Sequence, residues 1–192
     1  MSSFTRRAAA VLVLACAAGA AWSADAPRVK FNTTAGDIVI EVYPDKAPKT
    51  VENFLQYVRD HHYDGTIFHR VINNFMIQGG GMDKDMAEKK TRAPVPHEGV
   101  QAFEKGLKNE LGSVAMARTM DPNSATAQFY INVANNAFLD PKPGNPGYTV
   151  FGKVVGGMDV VNSIKGVPTG RKGMQADVPL SPVVIKSAEI VK

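Results

Sequence analysis

Apolar and polar residues alternate over many short stretches of this chain, which is the pattern of strands that bury one face. Apolar residues at helical spacing after Pro48 predict one helix around residues 51–58, and a second, shorter helix is predicted at 159–164. Loops rich in Gly, Pro, Asn and Asp, chiefly 82–99 and 140–147, separate the elements. The alternation predicts eight strands, at residues 29–32, 38–42, 66–72, 75–78, 113–117, 128–133, 149–155 and 183–191.

Eight short strands with two helices, in a chain without a linker or an internal repeat, predict a single mainly β domain. Two architectures fit that count, an antiparallel barrel and an antiparallel sandwich. The alternation by itself does not choose between them. Closure into a barrel would remove exposed strand edges, which is a preference of β-proteins rather than a requirement.

The first residues have the pattern of a secretory signal peptide. Arg6 and Arg7 precede an apolar run over residues 8–21, and small residues follow it. A membrane anchor is the alternative, but spanning a bilayer takes roughly 20 apolar residues. We therefore predict a signal peptide over residues 1–24, cleaved near 21–26, and a mature domain over residues 27–192.

The cysteine content and the net charge exclude several classes of function for the mature domain. Cys16 is the only cysteine and lies in the predicted leader, so the mature protein has no thiol for a disulfide, a nucleophile or a metal. Removal of two arginines lowers the 22 Lys+Arg to 20 against 18 Asp+Glu, so the net charge falls from +4 to +2. That charge is too small to indicate nucleic-acid binding. Stable membrane insertion is not expected either.

Several reaction classes lack their sequence motif. The chain contains no phosphate-binding Gly-x-x-x-x-Gly-Lys-Ser/Thr loop, no dinucleotide-binding glycine pattern and no His-Glu-x-x-His zinc motif. It also lacks the Gly-x-Ser-x-Gly turn that carries the nucleophile of many serine hydrolases. We therefore expect neither a cofactor nor a metal, and a hydrolase remains only a nominal alternative.

The segment of residues 68–80 is the most unusual part of the chain. Strand alternation places Phe68, Arg70 and Ile72 on one face of the first strand, with His69 and Val71 on the other. A buried charge requires a partner, so an arginine close to an amide and to apolar side chains calls for an explanation. It is either a functional cation or a surface arginine beside a core hairpin.

This segment, Phe-His-Arg-Val-Ile-Asn-Asn-Phe-Met-Ile-Gln-Gly-Gly, resembles the signature of the cyclophilins. Further similar motifs follow in order at residues 112–117, 124–131, 138–140 and 150–154, so that the similarity spans roughly residues 29–191. The resemblance implies a closed eight-stranded antiparallel β-barrel capped by two α-helices. It also implies a peptidyl-prolyl cis-trans isomerase that needs no cofactor and assists the folding of exported proteins. A non-catalytic module that binds proline peptides or unfolded chains on the same fold is the alternative.

The resemblance also assigns site residues by position. Arg70 corresponds to the active-site arginine, Gln78 to the glutamine that orients it, and Phe75 to an aromatic residue of the catalytic set. Ala117 and Arg118 correspond to the positions that hold the substrate backbone. The predicted substrate-binding residues are Met76, Ala117, Arg118, Gln128, Phe129, Phe138, Leu139 and Tyr148.

Three of these positions depart from many eukaryotic cyclophilins. Phe138 replaces a tryptophan, Tyr148 a histidine and Arg118 an asparagine, and the chain is in these respects similar to bacterial exported cyclophilins. We therefore expect a periplasmic protein, with the endoplasmic reticulum lumen as the alternative. The missing indole N–H predicts weak cyclosporin binding. The expected partners are proline-containing peptides and unfolded exported proteins, and the expected state is a monomer.

Overall fold

A computed structural model describes residues 26–191 of the chain. The predicted signal peptide, residues 1–24, lies outside the described residues. None of the helices within 26–191 has the length and apolarity needed to cross a bilayer.

All eight predicted strands are present, and the mainly β class is confirmed. The largest difference in bounds is at the fourth strand, which continues to Asp83 through three glycines. A hairpin of two further strands, β8 and β9, was not predicted because its short, mostly exposed segments show no clear alternation. The ten strands are β1 Arg28–Thr33, β2 Gly36–Val42, β3 Thr66–Ile72, β4 Met76–Asp83, β5 Ser113–Met116, β6 Phe129–Asn132, β7 Val150–Gly156, β8 Thr169–Lys172, β9 Gln175–Pro179 and β10 Ile185–Val191.

Eight of these strands form one curled antiparallel sheet in the order β10-β1-β2-β7-β5-β6-β4-β3. The predicted closed barrel is wrong, because the outer strands β10 and β3 are not joined by a ladder and the sheet is an open half-barrel. They are linked by an isolated bridge between Ile67 and Val184, with a bond from the Phe68 N–H to the Val183 carbonyl at 3.0 Å. On its other side Val184 exchanges hydrogen bonds with the turn residue Thr34, donating to its Oγ1 at 3.0 Å and accepting from its N–H at 2.9 Å.

Three α-helices accompany the sheet, not the two that were predicted. Helices α1, Pro48–Arg59, and α3, Met158–Lys165, correspond to the predicted pair. Helix α2, Gly99–Glu104, has only six residues, too few to show a helical period in the sequence. It follows the long loop between β4 and α2 that the sequence indicated by its glycines and prolines.

Aromatic side chains fill the inside of the curled sheet. Phe31 stacks on Phe129 with ring centroids 5.3 Å apart, and Phe54 of α1 contacts both rings from the side. Ile77 of β4 and Ile131 of β6 are fully buried in the same core. Because strand side chains alternate, the residues next to these isoleucines point to the opposite face of the sheet.

A bulge in β3 changes which residues share that opposite face. Phe68 pairs with Gly79 while Arg70 pairs with Gln78, so β3 has one extra residue between them. Phe68 is therefore buried against Phe129, at a centroid distance of 6.2 Å, instead of sharing a face with Arg70. The predicted grouping of Phe68 with Arg70 is wrong for this reason.

Candidate active site

A cavity of about 210 Å³ opens on the face of the sheet opposite the aromatic core. Strands β3, β4 and β6 form its base, and the loops after β5 and around residues 137–148 form its other walls. Eight of the predicted site residues line it, together with Tyr130, which was not predicted. The lining residues are Arg70, Phe75, Met76, Gln78, Ala117, Arg118, Tyr130, Leu139 and Tyr148.

Strand register explains why three polar groups meet at the base of this cavity. Arg70 on β3 pairs with Gln78 on β4, and Gln78 pairs with Tyr130 on β6. Directly paired residues on neighbouring antiparallel strands have Cβ atoms about 4.5–5.5 Å apart. The guanidinium, the amide and the phenol therefore lie in one row across three strands.

Arg70 is half-buried, and its guanidinium has no hydrogen-bond or ion-pair partner among residues 26–191. The resemblance implied that Gln78 orients it, but the Gln78 amide Nε2 donates to Gln128 Oε1 at 3.0 Å. No direct bond between Gln78 and Arg70 is formed in the described part of the chain. The guanidinium N–H groups are therefore free to donate to a molecule that enters the cavity.

Unlike Arg70, Arg118 has hydrogen-bond partners within the protein. Its guanidinium lies over the Tyr148 ring at 4.5 Å, and its Nε and Nη2 donate to the carbonyl of Gly147 at 3.1 and 2.8 Å. A third bond runs from Nη1 to the Thr119 carbonyl at 2.8 Å. Arg118 thus fixes the Tyr148 ring as a wall of the cavity and is not a free donor like Arg70.

His97 approaches the same Gly147 carbonyl, with its Nε2 at 3.3 Å, while its Nδ1 accepts from the Gly99 N–H at 3.3 Å. This pair of contacts requires the neutral imidazole. Burial, and to a smaller extent the charge of Arg118, lowers the pKa of His97. This contact joins loops 50 residues apart, so no local sequence pattern indicates it.

Phe138 lies at the rim of the cavity and not on its wall. It is 60% exposed and stacks on Phe75 with centroids 5.6 Å apart and an interplanar angle of 25°.

Phe129, which was predicted to bind the substrate, does not line the cavity, whereas its neighbour Tyr130 does. Phe129 is 0% exposed and packs in the aromatic core. The alternation in β6 contained the signal, because Phe129 shares a face with apolar Ile131 and Tyr130 shares one with polar Asn132.

A second cavity of about 320 Å³ adjoins the first and shares Gln78, Ala117 and Arg118 with it. Its walls are polar, and Gln128, the remaining predicted residue, lies there. The other lining residues are Glu88, Thr91, Thr119, Ser124 and Thr126. The two cavities form neighbouring compartments, and the large apolar side chains Phe75, Met76 and Leu139 line only the first.

Metal-ligating side chains do not cluster in the described region. Over residues 26–191, His, Cys, Asp and Glu nowhere form a group of three that could hold an ion. The site therefore offers a cation, amides and aromatic rings as its chemical groups.

Comparisons with known proteins agree with this geometry. Residues 28–190 match the family described as cyclophilin type peptidyl-prolyl cis-trans isomerase/CLD. A peptidyl-prolyl cis-trans isomerase of Streptomyces antibioticus is 58% identical over 85% of this chain and 98% of its own. Peptidyl-prolyl cis-trans isomerase B of Escherichia coli is 54% identical over 84% of this chain and 98% of its own.

A solved structure supports the same fold. The cyclophilin type isomerase of Cryptosporidium parvum, crystallised in the presence of the dipeptide Ala-Pro, has a TM-score of 0.69 at 26% identity. The match covers 86% of this chain and 99% of that one. The chain belongs to the cyclophilin-type peptidyl-prolyl cis-trans isomerases. These relatives confirm the predicted isomerase activity, and those at 54–58% identity are bacterial.

Proposed function

We propose that this isomerase binds the proline ring of an Xaa-Pro segment in the 210 Å³ cavity and that Arg70 is its catalytic cation. One observation carries the proposal. The Arg70 guanidinium, without a partner among the described residues, lines a cavity whose other walls include Phe75, Met76 and Leu139. The Ala-Pro dipeptide present with the related C. parvum enzyme supports a proline-containing ligand.

The reaction needs such a cation because amide resonance gives a prolyl bond a rotation barrier of about 18–20 kcal/mol. When the bond is twisted, the nitrogen lone pair leaves conjugation and becomes a hydrogen-bond acceptor. A donor fixed at that nitrogen binds the twisted amide more tightly than the planar one, which lowers the barrier. No covalent bond is made or broken, so neither a nucleophile nor a metal is required.

Arg70 supplies only part of the acceleration. A hydrogen bond to a charged group contributes about 1.5–3 kcal/mol. An acceleration of about 10⁴-fold requires about 5.5 kcal/mol. The apolar walls hold the proline ring in the planar and the twisted amide alike. The remainder therefore comes from polar contacts that hold the residue before the proline and improve as the bond twists, so that binding energy is available for rotation about one bond.

The polar second cavity provides that other point of attachment. It shares Ala117 and Arg118 with the proline cavity, and the Gln78–Gln128 amide pair lies on its wall. A peptide extending from the proline cavity would pass these groups. Gln128, Ala117 and Arg118 are therefore proposed to contact the substrate beyond the proline.

The cellular role is proposed from the sequence and from the relatives. The predicted leader and the bacterial relatives support export to a bacterial periplasm, where unfolded exported proteins are the substrates. The protein is proposed to act there as a monomer and to bind cyclosporin weakly, because Phe138 has no N–H donor. The mass of the protein recovered from the periplasmic fraction tests export, and an uncleaved chain in the cytosol would contradict it.

Exchange NMR on a short Xaa-Pro peptide tests the enzymatic role of Arg70. Catalytic amounts of the wild-type protein should accelerate cis-trans exchange, and Arg70→Ala should lose most of that acceleration. Arg59→Ala is the control, since it removes an exposed arginine that pairs with Glu52 on α1. Retention of full activity by Arg70→Ala would refute the proposed role.

A further inference from the structure

A group of buried polar side chains lies directly behind the proline cavity. Each is at most 9% exposed, and burying a polar group is costly unless it is hydrogen-bonded. None of their buried side-chain nitrogen or oxygen atoms lacks a partner; the single buried atom without one in residues 26–191 is His69 Nδ1. We refer to this group as the polar layer: Asn109, Ser113, Tyr130, Asn132, Asn136 and Asp140.

Asn109 is the centre of the polar layer. Its Oδ1 accepts from the Tyr130 hydroxyl at 2.7 Å and from Asn132 Nδ2 at 3.2 Å. Its Nδ2 and its backbone N–H both donate to Asp140 Oδ1, at 2.9 and 2.8 Å. Its backbone carbonyl accepts from the Asn136 N–H at 2.7 Å. One residue therefore contacts four of the other five members.

Members of the polar layer form or contact the base and two walls of the cavity. Tyr130 is itself the base of the cavity, and burial raises the pKa of its hydroxyl well above the usual value, so the hydroxyl remains a donor. Asn136 Nδ2 donates to the Phe75 carbonyl at 2.8 Å. The Asn136 carbonyl in turn accepts from the Leu139 N–H at 2.9 Å. Tyr130, Phe75 and Leu139 come from different parts of the chain, and the polar layer joins them.

We propose that Asn109 is a positioning residue that holds the base and two walls of the proline cavity in register through the polar layer. This inference rests on the proposed use of the cavity for the proline ring. A fully satisfied buried network has one favourable arrangement, which gives the walls a defined separation. The walls contact the ring in the planar and in the twisted amide alike, so their displacement should weaken binding and leave the rotation step largely intact.

The test compares Asn109→Ala with the wild-type protein in peptide affinity and in exchange rate at saturating peptide. The dissociation constant should rise about tenfold, because the walls are no longer held, while the rate at saturation stays within about threefold. Tyr130→Phe keeps the ring and removes only its hydroxyl bond to Asn109, so a smaller rise of about threefold is expected. If Asn109→Ala does not fold, Tyr130→Phe serves as the test variant.

The matched control is Tyr63→Phe. Tyr63 is fully buried and its hydroxyl donates to the Ala127 carbonyl at 3.0 Å, but it lies in the aromatic core. Tyr63→Phe removes the same hydroxyl group as Tyr130→Phe, but its peptide affinity should remain within about twofold of wild type. Unchanged affinity in both Asn109→Ala and Tyr130→Phe, or an equal loss in Tyr63→Phe, would overturn the proposal. Absence of wild-type catalysis would instead contradict the proposed function.

Discussion

His69 and Arg70 are consecutive residues of β3 that differ in how deeply they are buried and in what surrounds them. Arg70 lies at the edge of a cavity, where its N–H groups have no partner among the described residues. His69 is buried, its Nδ1 has no hydrogen-bond partner, and burial lowers its pKa to about 4. Burial thus keeps His69 neutral at pH 7, whereas Arg70 lines the cavity.

The buried His69 predicts that the protein loses stability as the pH falls. Its pKa is lower in the folded chain than the ordinary histidine value of about 6.5, so between about pH 6.5 and pH 4 the unfolded chain binds more protons. Its contribution is fully present above pH 6.5 and declines below it, by about 2 kcal/mol at pH 5. Urea unfolding at pH 7 and pH 5 measures this difference.

In that experiment His69→Gln should show a smaller difference between the two pH values than the wild-type protein. His61→Asn is the control, because it removes an exposed histidine and because Asn tolerates the positive φ of 52° at that position. An undiminished pH dependence in His69→Gln would show that another group is responsible.

At the scale of elements, helix α1 receives its N-terminal cap from a distant loop. The Glu98 carboxylate accepts from the Lys49 N–H at 3.1 Å, and from both the N–H and the hydroxyl of Thr50 at 2.8 Å. Ala47, the residue before the helix, provides no side-chain cap. A buried carboxylate at this end satisfies free N–H groups and complements the helix dipole. The loop before α2 is thereby joined to α1.

Glu98→Gln should therefore lower the free energy of unfolding by about 1–2 kcal/mol, because one acceptor oxygen is replaced by an NH2 group, which cannot accept a hydrogen bond. Urea denaturation at neutral pH measures it. Glu52→Gln, on the exposed side of α1, removes the same charge from a surface pair with Arg59 and should change stability by less than about 0.5 kcal/mol. Equal losses in the two variants would contradict the capping role.

These elements also show what could be predicted from the sequence. Local alternation located the eight strands of the sheet and helical spacing located α1 and α3. Whether the barrel closes could not be predicted, because it depends on pairing between β3 and β10, which are distant in the sequence and form only an isolated bridge. The resemblance placed Phe129 at the site, whereas the alternation in β6 places its neighbour Tyr130 on the cavity face. The Glu98 cap and the polar layer join distant segments, which no local pattern reveals.

In the molecule as a whole, the residues of the core and those of the cavity lie on opposite faces of the curled sheet. Its inner face carries the aromatic core, and its outer face carries Arg70, Gln78 and Tyr130 in one row across three strands. Substitutions of exposed groups in the cavity should therefore change catalysis without removing core contacts. This separation makes it possible to vary the charge at position 70 in a folded protein.

The most direct test of the account compares wild type with Arg70→Gln in two quantities, the exchange rate of an Xaa-Pro peptide at saturation and the dissociation constant of that peptide. A guanidinium that acts on the twisted amide predicts a rate about 10- to 100-fold lower, with the dissociation constant changed by less than about threefold. If the dissociation constant instead rose about 10- to 100-fold while the rate at saturation was retained, Arg70 would only bind the peptide, and the account would be contradicted.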